Sequence, residues 1–285
     1  MTTTPTTEPV HSREFGPAAH PRLELFAYAM RRLRRPLAIW GSSLTVYVLI
    51  IVSFWPSLHD APGLRQLLRA LPEALSHAFG VANLTSPAGY LLSELFSLVL
   101  PALLIAAAVG AVLALTAGDE DGGILETVLA LPVSRRSVMT ERGLAVVLYT
   151  VALGLVVEVV LTGSGAIVHL GLPPAHLSAG VTAVVALALL HGAVAFAAAG
   201  IGARRSTALG ITTGVAVAGY FLHALAPLNS LVAPLRRLSP WDWALGNDPL
   251  QHGWNVGGLL LLLAIGLILA GAGIVSVTRR DIRSA

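Results

Sequence analysis

Residues 118–142 read GDEDGGILETVLALPVSRRSVMTER, a charged stretch set between two long apolar segments. It begins acidic, with Asp119, Glu120 and Asp121, and then opens at Gly122-Gly123. Ile124, Leu125, Val128 and Leu129 recur at helical spacing, with Glu126 and Thr127 on the other side. Leu131-Pro132 ends that run, because the residue before a proline is pushed out of the helical region. Ser134 is placed to cap a second helix that carries Arg135, Arg136 and Arg142. A small polar helix–break–helix held between two apolar spans reads as a docking surface. The acidic triad has the ligands for a divalent cation, but arginines follow it closely, so a solvated or partner-facing charge run is the expectation.

Composition requires a membrane. Of the 285 residues, 55% are hydrophobic and 12% charged, and the mean hydropathy is +0.77. Soluble domains carry about 25% charged residues. The chain has no cysteine, which excludes disulfides, thiolate zinc sites and thiol nucleophiles. All 18 basic residues are arginine. A P-loop needs a lysine to reach the phosphates, so a standard ATP site is excluded as well. Neither an HExxH nor a GxSxG pattern occurs, and no metal site is expected. The pI near 9.8 comes from arginines whose placement is topological, and no nucleic-acid partner is read from it.

Taken in order, residues 1–20 are rich in Thr and Pro and read as a disordered tail without a signal peptide. Residues 21–285 read as one transmembrane domain. Over 23–35, Leu23, Phe26, Ala27, Met30 and Leu33 share a face while Arg31, Arg32, Arg34 and Arg35 crowd the end. That pattern predicts an interfacial amphipathic helix, the alternative being a plain positive flank of the first span. Six stretches are apolar and long enough to cross: about 37–55 (bounded by Pro36 and Pro56), 95–117, 144–167, 179–201, 208–226 and 256–277. Residues 56–93 and 227–255 are too polar to cross, and an outer amphipathic helix is expected over 64–75. Six spans put both termini on one side. Fourteen of the eighteen arginines then share that side with the 118–142 loop, which the positive-inside rule assigns to the cytoplasm of a multi-pass protein in the cytoplasmic membrane.

Ionisable residues at membrane depth are functional suspects. Glu158 in the third span and His191 in the fourth lie on consecutive antiparallel helices and are expected to meet. Two readings follow: a proton-linked pair on a substrate path, or a structural hydrogen-bonded pair between helices. Glu94 and His223 fall near the outer boundary. Gly210, Gly214, Gly266, Gly271 and Gly273 are read as helix-packing positions.

The chain resembles the type-2 ABC-transporter permeases. The resemblance rests on the acidic run, on Gly123-Ile124-Leu125-Glu126, on Leu131-Pro132-Val133-Ser134-Arg135, on Leu238-Ser239-Pro240-Trp241 before the last span, and on Arg279-Arg280-Asp281-Ile282 after it. It covers nearly the whole chain after the tail, although the 56–93 segment is long for a minimal bacterial member. The resemblance implies an all-α polytopic subunit with six transmembrane helices, an N-terminal interfacial connecting helix (23–33), a cytoplasmic coupling helix (124–131) and re-entrant outer helices around Ser239, Pro240 and Trp241. It implies dimerisation with a second permease copy or a homologous permease. It further implies docking of cytoplasmic ABC ATPase subunits, which carry the ATP and Mg, while this chain binds no cofactor. The coupling set is Glu120, Ile124, Leu125, Glu126, Val128, Leu129, Pro132, Arg135 and Arg136. The implied activity is export of an apolar or amphipathic small molecule (a drug, an antibiotic or a lipid-like compound) among membrane lipids, the activity of multidrug efflux. The alternative is a proton-coupled secondary transporter built on Glu158 and His191, which a six-span chain without an evident internal repeat fits poorly.

Overall fold

The computed structural model describes residues 24–59, 86–124, 128, 130, 133–228 and 233–279. The expected tail, the outer amphipathic helix over 64–75 and the closing residues 280–282 lie outside the described residues. Six helical segments are long and apolar enough to cross a membrane, and there is no strand among the described residues.

The chain runs α1 (Glu24–His59), α2 (Pro87–Leu91), a π-helical turn (Leu92–Phe96), α3 (Val99–Leu115) and α4 (Ala117–Asp121). It continues through α5 (Arg135–Ile167), α6 (Pro174–Gly200), α7 (Arg205–Leu225), a 3-10 turn (Ala233–Leu238), α8 (Pro240–Leu245), α9 (Pro249–His252) and α10 (Val256–Arg279). The spans exceed the apolar stretches at their ends. One boundary changes in kind. The break expected at Pro36 does not occur, and the interfacial segment and first span form one helix through both Pro36 and Pro56. A proline inside a helix forfeits one backbone bond, and here the segment before it is tied down elsewhere. Ala29 and Leu33 are buried, the Phe26 N–H donates to Glu141 Oε2 at 3.0 Å, and Arg32 pairs with Asp119.

The core is layered around α6, which is 72% buried over its most apolar stretch, against 17% for α7 and 11% for α10. α3 and α10 lie along α6, and α1 lies along α5. Small residues permit the closest of these approaches: a Cβ on Gly200 would sit 2.5 Å from the carbonyl oxygen of Gly273, so α6 and α10 touch backbone to backbone. Lipid tails are as apolar as leucine, so such contact, not exclusion of water, holds spans together. Because successive spans alternate in direction, the arginines of early α1, of α5's first turns, of the α6–α7 turn and of α10's last turn collect at one end.

Candidate functional site

At the arginine-rich end the 118–142 stretch unfolds its logic. Ser134 caps α5 as the sequence predicts, its Oγ accepting from the Ser137 N–H at 3.1 Å. Gly123, at φ +70°, takes the left-handed conformation that turns the chain out of α4. Ile124 is 40% exposed, Val128 is half-buried and Arg136 is exposed. Arg135 is half-buried and held by a partner. Leu125, Glu126, Leu129 and Pro132 lie outside the described residues, and with them most of the expected coupling helix over 124–131.

The acidic run departs from its expected solvated state. Asp119 is 1% exposed and Glu120 5%. The Asp119 carboxylate accepts from Arg32 Nη1 at 2.8 Å and from Arg142 Nη2 at 2.9 Å. Arg142, expected at the loop's end, is buried in α5 and also donates to the Leu115 carbonyl. Asp121 Oδ2 accepts from the Arg205 backbone N–H at 3.1 Å. Two guanidiniums therefore occupy the carboxylate that a cation would need, and Glu120 turns inward rather than toward a docking partner. The reason is the abrupt end of α3: charges that follow it directly cannot remain in lipid unpaired, and the nearest opposite charges are on α1 and α5. This hub ties the residues that follow α3 to the first and third spans.

Glu158 and His191 do not meet. Glu158 Oε1 accepts from Ser178 Oγ at 2.6 Å, near the start of α6. His191 lies roughly 20 Å further along that helix at 1.5 Å per residue. The register explains it: Gly154 packs against Val185 and Gly143 against Phe196, which leaves His191 level with α5 residues near Leu148. His191 is fully buried, and its Nδ1–H donates to the Leu187 carbonyl at 2.8 Å. Its ring packs edge-on against Trp241, with centroids 5.4 Å apart. Glu158 thus bonds between α5 and α6 to Ser178 and not to His191. Glu158→Gln retains an acceptor for Ser178, so a stability loss of about 1 kcal/mol or less is expected, with transport per folded molecule unchanged. A fall in transport with normal folding, measured in vesicles, contradicts this assignment.

The outer residues form a built corner. Ser239 accepts from the Asp242 N–H at 3.3 Å as cap of α8, and its hydroxyl donates to the Gly219 carbonyl of α7 at 2.6 Å. Pro240 occupies the first turn of α8, and Trp241, 2% exposed, points into the bundle. Arg236 pairs with Asp242, which also lies 3.6 Å from His223 Nδ1. On the following turn, burial pushes the Asp248 carboxyl above its ordinary range. Between α3 and α7 runs a slot of about 520 Å³, lined by residues that include Ile105, Val109, Thr212 and Tyr220, with Arg205 at one end and Trp241 near the other. Sequence reasoning missed this slot and the His191–Trp241 contact; the one signal for the contact was that both residues are polar-tipped in apolar surroundings.

A family model described as "Multidrug efflux system permease Rv1217c, C-terminal domain" matches residues 24–277. No curated protein matches the chain.

Proposed function

The chain belongs to the family of the multidrug efflux system permease Rv1217c, C-terminal domain, an ABC-transporter permease family, and from that premise we propose that it is the transmembrane subunit of an ATP-driven exporter. In this reading residues 21–285 form one permease domain in the cytoplasmic membrane, and both termini and the 118–142 loop face the cytoplasm. The arginine-rich end supports that orientation. Hydrolysis belongs to a separate ATPase subunit, since the chain has no lysine with which to build a P-loop. The ATPase docks on the apolar stripe of Ile124, Leu125, Val128 and Leu129, with Glu126, Pro132, Arg135 and Arg136 at the rim. Glu120, being buried, is not part of that contact.

The observation that carries the reading is the Arg32–Asp119–Arg142 hub. A push on the loop reaches α1 and α5 through buried charged contacts, as a mechanical coupling requires. α7 and α10, the least buried spans, offer faces for a second permease copy or for lipid. The slot between α3 and α7 is the substrate surface, and the cargo is an apolar or amphipathic small molecule. The proton-coupled alternative loses its site once Glu158 and His191 are apart. A pull-down from native membranes with this chain as bait is expected to recover a P-loop ATPase in stoichiometric amount. Recovery of no ATPase, together with transport driven by a proton gradient alone, contradicts the proposal.

A further inference from the structure

We propose that a second groove, between α5 and α10, holds one acyl chain of an anionic phospholipid, with the lipid phosphate on Arg136. The proposal rests on the six-span fold alone and not on the ATPase reading.

The groove encloses about 350 Å³. Its floor is Ala108 and Val112 of α3 and Leu190 of α6, all buried. Its rims are Leu144 of α5 and Leu267 of α10, both exposed to lipid. Its wall is apolar apart from Thr140, whose hydroxyl donates to the Arg136 carbonyl of its own helix.

Length and width select the occupant. On α10 the lining runs from Leu262 to Ile274, about 18 Å at 1.5 Å per residue. One leaflet of the hydrocarbon core is about 15 Å deep. On α5 the lining runs from Met139 to Val147, so the groove starts just inside the arginine-rich end and stops near mid-membrane. Spread over its length, the volume is a channel about 5 Å wide. A helix with its side chains is about 10–12 Å across and does not fit. A methylene chain, roughly 4–5 Å across by carbon contact distances, does.

Charge selects the head group. Arg136 precedes Met139 and Thr140 by three and four residues, so it continues the groove face of α5 by one turn. It is exposed and forms no ion pair among the described residues. Glu141, the nearest acid along α5, is engaged elsewhere: its carboxylate accepts from the Phe26 N–H and from Ser137 Oγ. Asp119 and Glu120 at the same end are buried, and Asp121 accepts from the Arg205 N–H. Arg204 and Arg279 are exposed there and add to the positive field. A guanidinium matches a phosphate with two parallel bonds, and its five donors leave some for the rim contact proposed above. Basic positions beside a cleft between spans, at this boundary, are where anionic head groups are held.

Native mass spectrometry of the delipidated full chain in neutral detergent tests this, with dioleoyl phosphatidylglycerol and dioleoyl phosphatidylcholine as probes. The first phosphatidylglycerol is expected to bind about fivefold tighter than the first phosphatidylcholine, the contribution of one arginine at head-group level. Arg136→Gln is expected to abolish that preference. Arg34→Gln, on α1 at the same end, is expected to leave it. Gly266→Leu fills the groove, and its would-be Cβ meets nothing closer than 3.9 Å, so the backbone accepts a side chain there. It is expected to remove the tight site for both lipids. Ala270→Leu, a second filler, gives the same readout should Gly266→Leu fail to fold. Equal binding of the two lipids by the parent overturns the proposal, as does a preference that Arg136→Gln leaves unchanged or that Arg34→Gln lowers as much. Folded, groove-filled chains that bind both lipids as the parent does also overturn it. If those chains lose a dimer peak instead, the groove belongs to a second copy and the lipid site falls.

Discussion

Asp119→Ala is expected to cost about 3–5 kcal/mol, the loss that follows when one partner of a buried ion pair is removed. The aspartate is 1% exposed and is shared by Arg32 and Arg142. Removing it leaves Arg142, whose side chain is 4% exposed, as an uncompensated cation at the membrane boundary. The two arginines are not equivalent. The Arg32 side chain is 32% exposed and finds water when released, so Arg32→Gln is expected to cost only about 1 kcal/mol. Replacing both buried members by apolar residues, Asp119→Leu with Arg142→Met, removes the stranded charge and is expected to recover most of the loss. Such a double variant folds without a rigid link between loop and spans, so it also separates stability from coupling. Thermal unfolding followed by size-exclusion chromatography in detergent measures all three variants against the parent. An Asp119→Ala protein as stable as the parent contradicts the hub.

Gly200→Leu is expected to cost about 3 kcal/mol, the upper end of the range for overpacking. A Cβ there meets the carbonyl oxygen, Cα and carbonyl carbon of Gly273 at 2.5–2.9 Å. Those are backbone atoms and cannot swing aside, so α10 must move off α6. The control lies on the partner helix α10, where Gly271 has no atom within 4 Å of its would-be Cβ. Gly271→Leu is therefore expected to change stability by less than about 0.5 kcal/mol, as at other open surface sites. Folded yield after membrane extraction is the readout, and equal yields for the two variants refute the packing argument.

The six crossings were legible in the sequence because apolar length is set by bilayer thickness and needs no tertiary knowledge. The cap at Ser134 was legible for a similar reason, since a cap bonds to a backbone group within three residues. What the sequence hid was long-range. Asp119 looked like part of a solvated run because its partner Arg32 is 87 positions away. Pro36 looked like a helix end because the contacts that hold the segment before it, with Asp119 and Glu141, are equally remote. Glu158 and His191 looked like a pair because antiparallel neighbours can meet, yet the turn between α5 and α6 sets a register in which Glu158 meets Ser178. Trp241 was singled out only through the family pattern. Its contact with His191 joins the corner after α7 to the middle of α6, and no local pattern encodes that.

The central claim is that this chain is driven through its 118–142 loop by a separate ATPase. Reconstituting it with that ATPase in vesicles and measuring ATP-driven transport for the parent and for Leu125→Asp tests this most directly. The substitution places a carboxylate on the apolar stripe and lies outside the spans, so insertion is expected to be normal. ATP hydrolysis without transport, or loss of the ATPase from the complex, is the predicted result. Undiminished ATP-driven transport by a correctly inserted Leu125→Asp chain contradicts the claim.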